Sequence, residues 1–408
     1  MLSNKINGLI TATISKISGI TKPRRKFVTQ LLMLYMGLRG RYTFTNLARY
    51  GKLNEKTYRN QFDKPFPWGD FNKDLIRSEC SKELIAVFDP TFIPKSGKHT
   101  PHVDWHWSTT SQKIKRGIEM GSLAVVDVRN RTAFSLEARQ TPVIKKGQDR
   151  DETLIDHYLG FVLEHSRTMN ELGIRYHVAD GYFTKEKYVR GITASGLDMI
   201  GKLRQDANLR YPFIGEQKPG RGRKRIYGAK VDLSYIDRRR IKLFMQGEDF
   251  CLFSGIVYSI GLKRPIRIVY IENYDNQGYE SGYSVLFSTD LKQDPKKIYQ
   301  YYSCRYQIEF LFRDAKQYVG MEECQARSEN KINFHVNASL TTVSLAKAGT
   351  VLCTEEPDKE VFSICDVKVL FFNKMLTEFI FSKLALDLSC IKYRSLFMEC
   401  LDIGRLAS

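Results

Sequence analysis

YYSCRYQIEFLFRDAK, residues 301–316, is the stretch on which the fold assignment turns. On a helix at about 100° per residue, Tyr302, Arg305, Glu309 and Lys316 share one stripe about 60° wide. Cys304, Ile308, Leu311, Phe312 and Ala315 gather on a separate apolar face. The pattern predicts a single helix with one side in a core and, beside it, a line of one carboxylate, two cations and a phenol. Most charged stripes are solvated faces. Here an aromatic ring sits in the stripe, and two acidic strand ends lie upstream with no salt-bridge partner evident in the sequence.

The spacing is Tyr302, two residues, Arg305, three residues, Glu309, six residues, Lys316. It resembles the YREK signature of bacterial insertion-sequence transposases, which belong to the DDE (RNase H-like) superfamily and are related to hairpin-forming transposases. All four letters and all three gaps agree. If Glu309 is the last acid of a DDE triad, as the resemblance implies, two aspartates must end β-strands earlier in the chain.

Both are present. In ELIAVFDPTFIPKSGK an apolar run, Leu84 to Phe88, ends at Asp89 and is followed by a proline expected to stop the strand. A carboxylate at the end of a buried strand is poorly explained as packing, since burying an unpaired charge is costly. Further on, IRYHVAD reads as a strand ending at Asp180. Between them lie strand-like runs at 122–128 and 132–140, joined by a tight turn, and an amphipathic helix from Thr153 to Met169. A helix near Thr184 and a strand at 198–204 follow. The order β, β, β, α, β, α, β matches an α/β RNase H-like core, in which the first and fourth strands lie side by side and would bring Asp89 and Asp180 together.

The expected organisation is a helical basic DNA-binding region (1–70), the first part of the core (80–205), a β-rich insertion (206–292), the second part of the core with the YREK helix (293–350) and a helical C-terminal region (351–408). In the first region, TFTNLARYGKLNEKTYRNQF reads as two short helices, the second capped by Asn54 and presenting Lys56, Arg59 and Asn60 outward. A helix-turn-helix and an ordinary αα-hairpin both fit. The insertion opens with a basic run (Lys218, Arg221, Arg223, Lys224, Arg225) suited to backbone contact with DNA. Related transposases carry a β-insertion at this point. The C-terminal region, rich in Phe and Leu, is expected to pack on the core or on a second subunit.

Lys and Arg total 64 against 45 Asp and Glu, a formal charge of +19, which points to a polyanionic partner. No apolar run approaches the ~20 residues of a spanning helix, and the N-terminus lacks a secretory pattern. No membrane association and a cytoplasmic location are therefore expected. The eight cysteines form no CxxC pair and read as buried free thiols.

The resemblance implies metal-dependent cleavage at insertion-sequence ends, followed by strand transfer into target DNA. Asp89, Asp180 and Glu309 would be the catalytic acids, holding two Mg²⁺ ions, with Mn²⁺ as substitute. Tyr302, Arg305 and Lys316 would contact DNA. The partners would be double-stranded DNA (terminal inverted repeats and target) and a second copy of the chain in a synaptic complex. An RNase H-fold nuclease or resolvase without strand transfer is the alternative, and a DNA-binding protein with a decayed site is a further one, against which the intact acids speak. His99, His102 and His106 lack metal-ligand spacing because Pro101 interrupts any helix. Asp127 is another strand acid, beside a turn and without a motif partner.

Overall fold

The computed structural model describes residues 2–108, 112–144, 152–217, 220, 224–275, 277–351 and 362–405. Lys218, Arg221 and Arg223 of the basic run and Cys353 lie outside them. The chain opens with five helices: α1 (Leu2–Lys16), α2 (Lys22–Gly37), α3 (Phe44–Tyr50), α4 (Glu55–Phe62) and α5 (Trp68–Glu79). Pro23 lies in the first turn of α2, where its missing N–H costs nothing. Thr43 caps α3, and Asn54 caps α4 by accepting the Thr57 N–H at 2.8 Å. Lys56, Arg59 and Asn60 are exposed as expected, with Arg59 paired to Glu55 and lying over the Phe44 ring.

Next come β1 (Leu84–Pro94), β2 (Asp104–Ser108), β3 (Lys113–Asp127), β4 (Thr132–Gln140), α6 (Leu154–Glu164), α7 (Ser166–Glu171) and β5 (Tyr176–Val178). A 3-10 turn at Gly181–Phe183, α8 (Glu186–Ala194) and β6 (Asp198–Leu203) follow. The β-rich stretch holds β7 (Leu209–Pro212), β8 (Tyr227–Lys230), β9 (Lys242–Gln246), β10 (Phe250–Ser259), β11 (Arg264–Tyr274) and β12 (Glu280–Ser288). The chain closes with α9 (Pro295–Cys304), α10 (Gln307–Tyr318), α11 (Glu329–Val351), α12 (Ile364–Lys383) and α13 (Ile391–Asp402). No helix among the described residues is long and apolar enough to cross a membrane.

The residues form two compact units, one of 1–81, 90–145 and 307–408, the other of 82–89 and 146–306. In the second unit the first part of β1 pairs in parallel with β5, and β5 in parallel with β6. β12 then joins β6 antiparallel, and β11, β10 and β7 extend the ladder. The β-rich insertion thus continues the core sheet edge to edge.

In the other unit β3 pairs antiparallel with β2 through its first residues and with β4 through its last. Residues 98–116, ahead of the first strand-like run expected after Asp89 (122–128), therefore contain a strand and the start of another. Alternating side chains there are aromatic or basic instead of apolar, which hid the period of two. Among the described residues β4 has β3 as its only strand partner and is buried, so its outer backbone groups need other partners. Polar side chains of α11 and α5 supply them. Asn337 accepts the Ala138 N–H at 2.9 Å and donates to its carbonyl at 2.7 Å. Ser344 accepts from Ser135 N–H, Asn333 from Gln140 N–H, Lys347 donates to Ala133 O, and Asn72 to Leu136 O. Burial lowers the Lys347 pKa to about 8. This accounts for the buried polar stripe of α11.

The N-terminal helices cover α11 from its other side. Ile6, Ile10 and Ile14 of α1 recur at helical spacing and are buried. The Tyr35 hydroxyl meets His335 Nδ1 at 2.9 Å, and His335 Nε2 meets Gly320 O at 2.8 Å. Burial holds His335 neutral, its pKa lowered to about 4. α12 docks on the end of α2, where Lys368 Nζ donates to Leu38 O at 3.0 Å and to the Tyr42 hydroxyl. The seven described cysteines are free, but only Cys304 is buried and Cys365 and Cys390 are exposed, so burial was overestimated.

Replacing Asn337 by Leu strands both backbone groups of Ala138 and is expected to cost about 2–6 kcal/mol, at ~1–3 kcal/mol per buried unpaired group. Urea unfolding of the full chain measures it. A loss below about 0.5 kcal/mol would mean that the edge strand needs no side-chain partners.

Candidate active site

β1 begins with five buried residues, Leu84–Phe88, and then presents Asp89, half-buried. The strand does not stop at Pro90 as expected but continues to Pro94. A proline is tolerated at a strand position whose N–H no ladder requires. β5 is shorter than expected, ending at Val178, because Asp180 Oδ1 accepts the Tyr182 N–H at 2.7 Å and turns the chain into the 3-10 turn.

The two aspartates are level. Ala86 pairs with His177 and Val87 with Val178 in the parallel ladder. Each acid therefore lies two residues beyond the same pair, on strands about 4.8 Å apart. Aromatic packing secures the strand ends: Phe88, beside Asp89, meets Phe183 edge-on with centroids 5.4 Å apart, and both rings contact Tyr158. Under them, the buried His177 ring lies 3.0 Å from the Tyr188 hydroxyl, its pKa lowered to about 3 by burial.

The single helix predicted over 301–316 is two helices. α9 ends at Cys304 and α10 begins at Gln307. The Arg305 N–H reaches only three residues back, to Tyr302 O at 3.1 Å, tightening the last turn, while Arg305 is buried and Tyr306 exposed. The common stripe therefore does not run along one straight helix. Tyr302 and Arg305 stay with the aspartates, and Glu309 and Lys316 belong to the other unit.

Arg305 gives Asp89 the partner that the sequence did not show, with Nη1 3.7 Å from Oδ2. Its guanidinium also lies 5.9 Å from the Tyr302 ring and 4.8 Å from that of Tyr306. Burial pushes the Tyr302 hydroxyl up to about 12; the Arg305 charge opposes the rise and that of Asp180 adds to it. Tyr302 is therefore a neutral hydrogen-bonding group near pH 7. Asp89, Asp180, Tyr302 and Arg305 form one electrostatic cluster.

Glu309 is exposed in the first turn of α10, where a helix favours a carboxylate. The expected apolar face of α10 is buried: Ile308, Leu311, Phe312 and Ala315. Lys316 Nζ donates to Phe92 O on β1 at 2.6 Å and lies 3.1 Å from Glu322. Neither partner was evident in the sequence, because one is a backbone carbonyl and the other follows the helix. Tyr182, exposed and with Lys185 Nζ 4.0 Å above its ring, was also overlooked. Its signal was its place two residues after a candidate acid.

Asp127 accepts from the N–H and hydroxyl of Ser81, both at 2.7 Å, and from Asn130. His106 lies in β2 against the Phe92 ring, and His102 meets the Val143 N–H. Among the described residues no group of three or more His, Cys, Asp or Glu is assembled as a metal centre. The donors at the two strand ends are carboxylate oxygens, a set that suits Mg²⁺ or Mn²⁺ and not Zn²⁺. Asp180 commits Oδ1 to its turn and keeps Oδ2 for a ligand, so the two acids fit a hard divalent ion.

Residues 81–345 match the family model described as the transposase DDE domain. No curated protein matches the chain.

The cap and the charge of Asp180 separate by mutation. Asp180→Asn keeps an oxygen for the Tyr182 N–H and is expected to unfold like the wild type, with Mn²⁺ affinity reduced. Asp180→Ala loses the cap as well, about 1 kcal/mol. Urea unfolding and Mn²⁺ titration measure both; unchanged Mn²⁺ affinity in Asp180→Asn would remove this residue from the metal site.

Proposed function

The chain belongs to the transposase DDE-domain family, and from that membership we propose that it is an insertion-sequence transposase of the YREK type, cutting DNA at the element's ends and joining the freed 3′-hydroxyl to target DNA. The family places the chain among DNA-acting enzymes that work with divalent metal ions. The observation that carries the finer reading is the level placement of Asp89 and Asp180 at the ends of adjacent parallel strands.

In this reading Asp89, Asp180 and Glu309 hold two divalent cations, Mg²⁺ or Mn²⁺. Ions so held supply an activated oxygen nucleophile and stabilise the leaving oxygen of an in-line displacement. In the cutting step water adds to phosphorus and the 3′-oxygen leaves with a proton. In the joining step that 3′-hydroxyl attacks a target phosphodiester, and one P–O bond replaces another. Arg305, already beside Asp89, neutralises the carboxylate and binds the scissile phosphate. Lys316 anchors on Phe92 O and Glu322 and offers its third N–H to a phosphate. Tyr302, neutral at working pH, hydrogen-bonds or stacks at the terminal nucleotide.

α3 and α4 are proposed to bind the element's ends through Lys56, Arg59 and Asn60, and two copies to act in a synaptic complex. The proposed division at 1–70, 80–205, 206–292, 293–350 and 351–408 assigns these tasks along the chain.

Purified protein, Mg²⁺ and a labelled duplex carrying the element's own ends test the reading beside Glu309→Gln. End cleavage with joined products is expected from the wild type. The variant should lose more than the ~10–100-fold typical of removing a group that only orients a ligand. Cuts without joining would instead identify a nuclease or resolvase, and equal activity in the variant would remove Glu309 from the site.

A further inference from the structure

The ribbon formed by β2 and the start of β3 carries a surface that the preceding chemistry leaves unused. In the antiparallel register Trp105 faces Arg116 and Trp107 faces Ile114. Directly opposed residues share a face, so these four side chains lie on one side of the ribbon. Trp105, Trp107 and Ile114 are 66%, 63% and 62% exposed. The opposite side carries His106, whose ring packs 5.6 Å from that of Phe92 on β1. The ribbon is thus anchored by one face and leaves two indoles in water on the other.

Its root is built for close approach. A Cβ at Gly117 would lie 2.3 Å from Ile93 O and 2.4 Å from the Phe92 ring. The Lys95 N–H donates to Arg116 O. The ribbon therefore branches from β1, the strand that also carries Asp89.

We propose that this Trp105–Trp107 face is a stacking clamp for an unpaired base of the DNA on which the chain acts. Residues two apart on a strand are separated by about 6.7 Å. That equals two stacking intervals of about 3.4 Å, room for one planar base between two rings. Arg116, exposed on the indole face, complements phosphate, Lys113 and Lys115 are exposed on the ribbon's other side, and the acid on β2, Asp104, takes its own neighbour's N–H, that of Trp105, at 2.8 Å. Bases inside a duplex have their faces occupied by neighbours, so indoles reward only bases taken out of the stack. The clamp rests on the DNA reading of the preceding section and adds to it a preference for unpaired over paired ends.

The test measures binding of the full chain, without divalent metal, to two labelled DNAs of the same end sequence. One is fully paired and the other has three unpaired terminal nucleotides. The wild type is expected to bind the unpaired end more tightly and to show quenched tryptophan fluorescence. Trp105→Ala and Trp107→Ala should each lower that preference on the order of 10-fold while binding paired DNA as the wild type does. Trp107→Tyr, which keeps a ring, should retain most of it. Equal wild-type binding to both DNAs, or an undiminished preference in both alanine variants, would overturn the clamp. Weakened binding to both DNAs with an altered oligomeric state would assign the face to a second copy instead. No wild-type binding to either DNA would overturn the DNA reading itself.

Discussion

Parallel pairing of β1 with β5 is the constraint on which the candidate site depends. The ladder is short, with Ala86 on His177 and Val87 on Val178. A slip of one residue would turn every buried side chain of a strand to its other face. The apolar run before Asp89 therefore fixes the register more firmly than the hydrogen bonds do. The rings of Phe88, Tyr158 and Phe183 pack behind the strand ends and resist such a slip. What reaches the site is a level pair of carboxylates, one balanced by Arg305 and the other turned by its own cap.

A second constraint acts on the far side of β3. A buried edge strand has backbone groups that water cannot reach, and each left unpaired costs about 1–3 kcal/mol. α11 meets that demand with amide, hydroxyl and ammonium groups where a core helix would ordinarily carry aliphatic ones. The arrangement ties α11 to one register along β4. The same helix receives α1, α2 and α4, so the polar stripe organises the helical half of that unit.

Much of the fold was legible because its strands are apolar runs punctuated by turn residues. β4 was expected at its observed limits, Asn54 caps its helix as expected, and β1, β3, β4 and β5 follow one another in the expected order. The family spacing of Tyr302, Arg305, Glu309 and Lys316 carried the rest. What escaped has physical reasons. The break at Arg305 involves no proline or glycine, so periodicity ran straight through it. β2 carries tryptophans and a histidine on a surface ribbon, which reads as a loop when hydrophobicity is taken to mean burial. The role of Asn333, Asn337, Ser344 and Lys347 depends on a strand distant in sequence, and no local pattern announces it.

On the strength of the family resemblance, we propose that Asp89, Asp180 and Glu309 serve one metal site. Replacing the bound divalent ion by Fe²⁺ and generating hydroxyl radicals cuts the polypeptide wherever it lies close to the ion. Mapping the fragments by mass spectrometry tests the claim without requiring DNA cleavage. Cuts clustered around residues 89, 180 and 309, suppressed by excess Mg²⁺, are predicted. Cuts near the aspartates with none near Glu309, or none that Mg²⁺ suppresses, would contradict it.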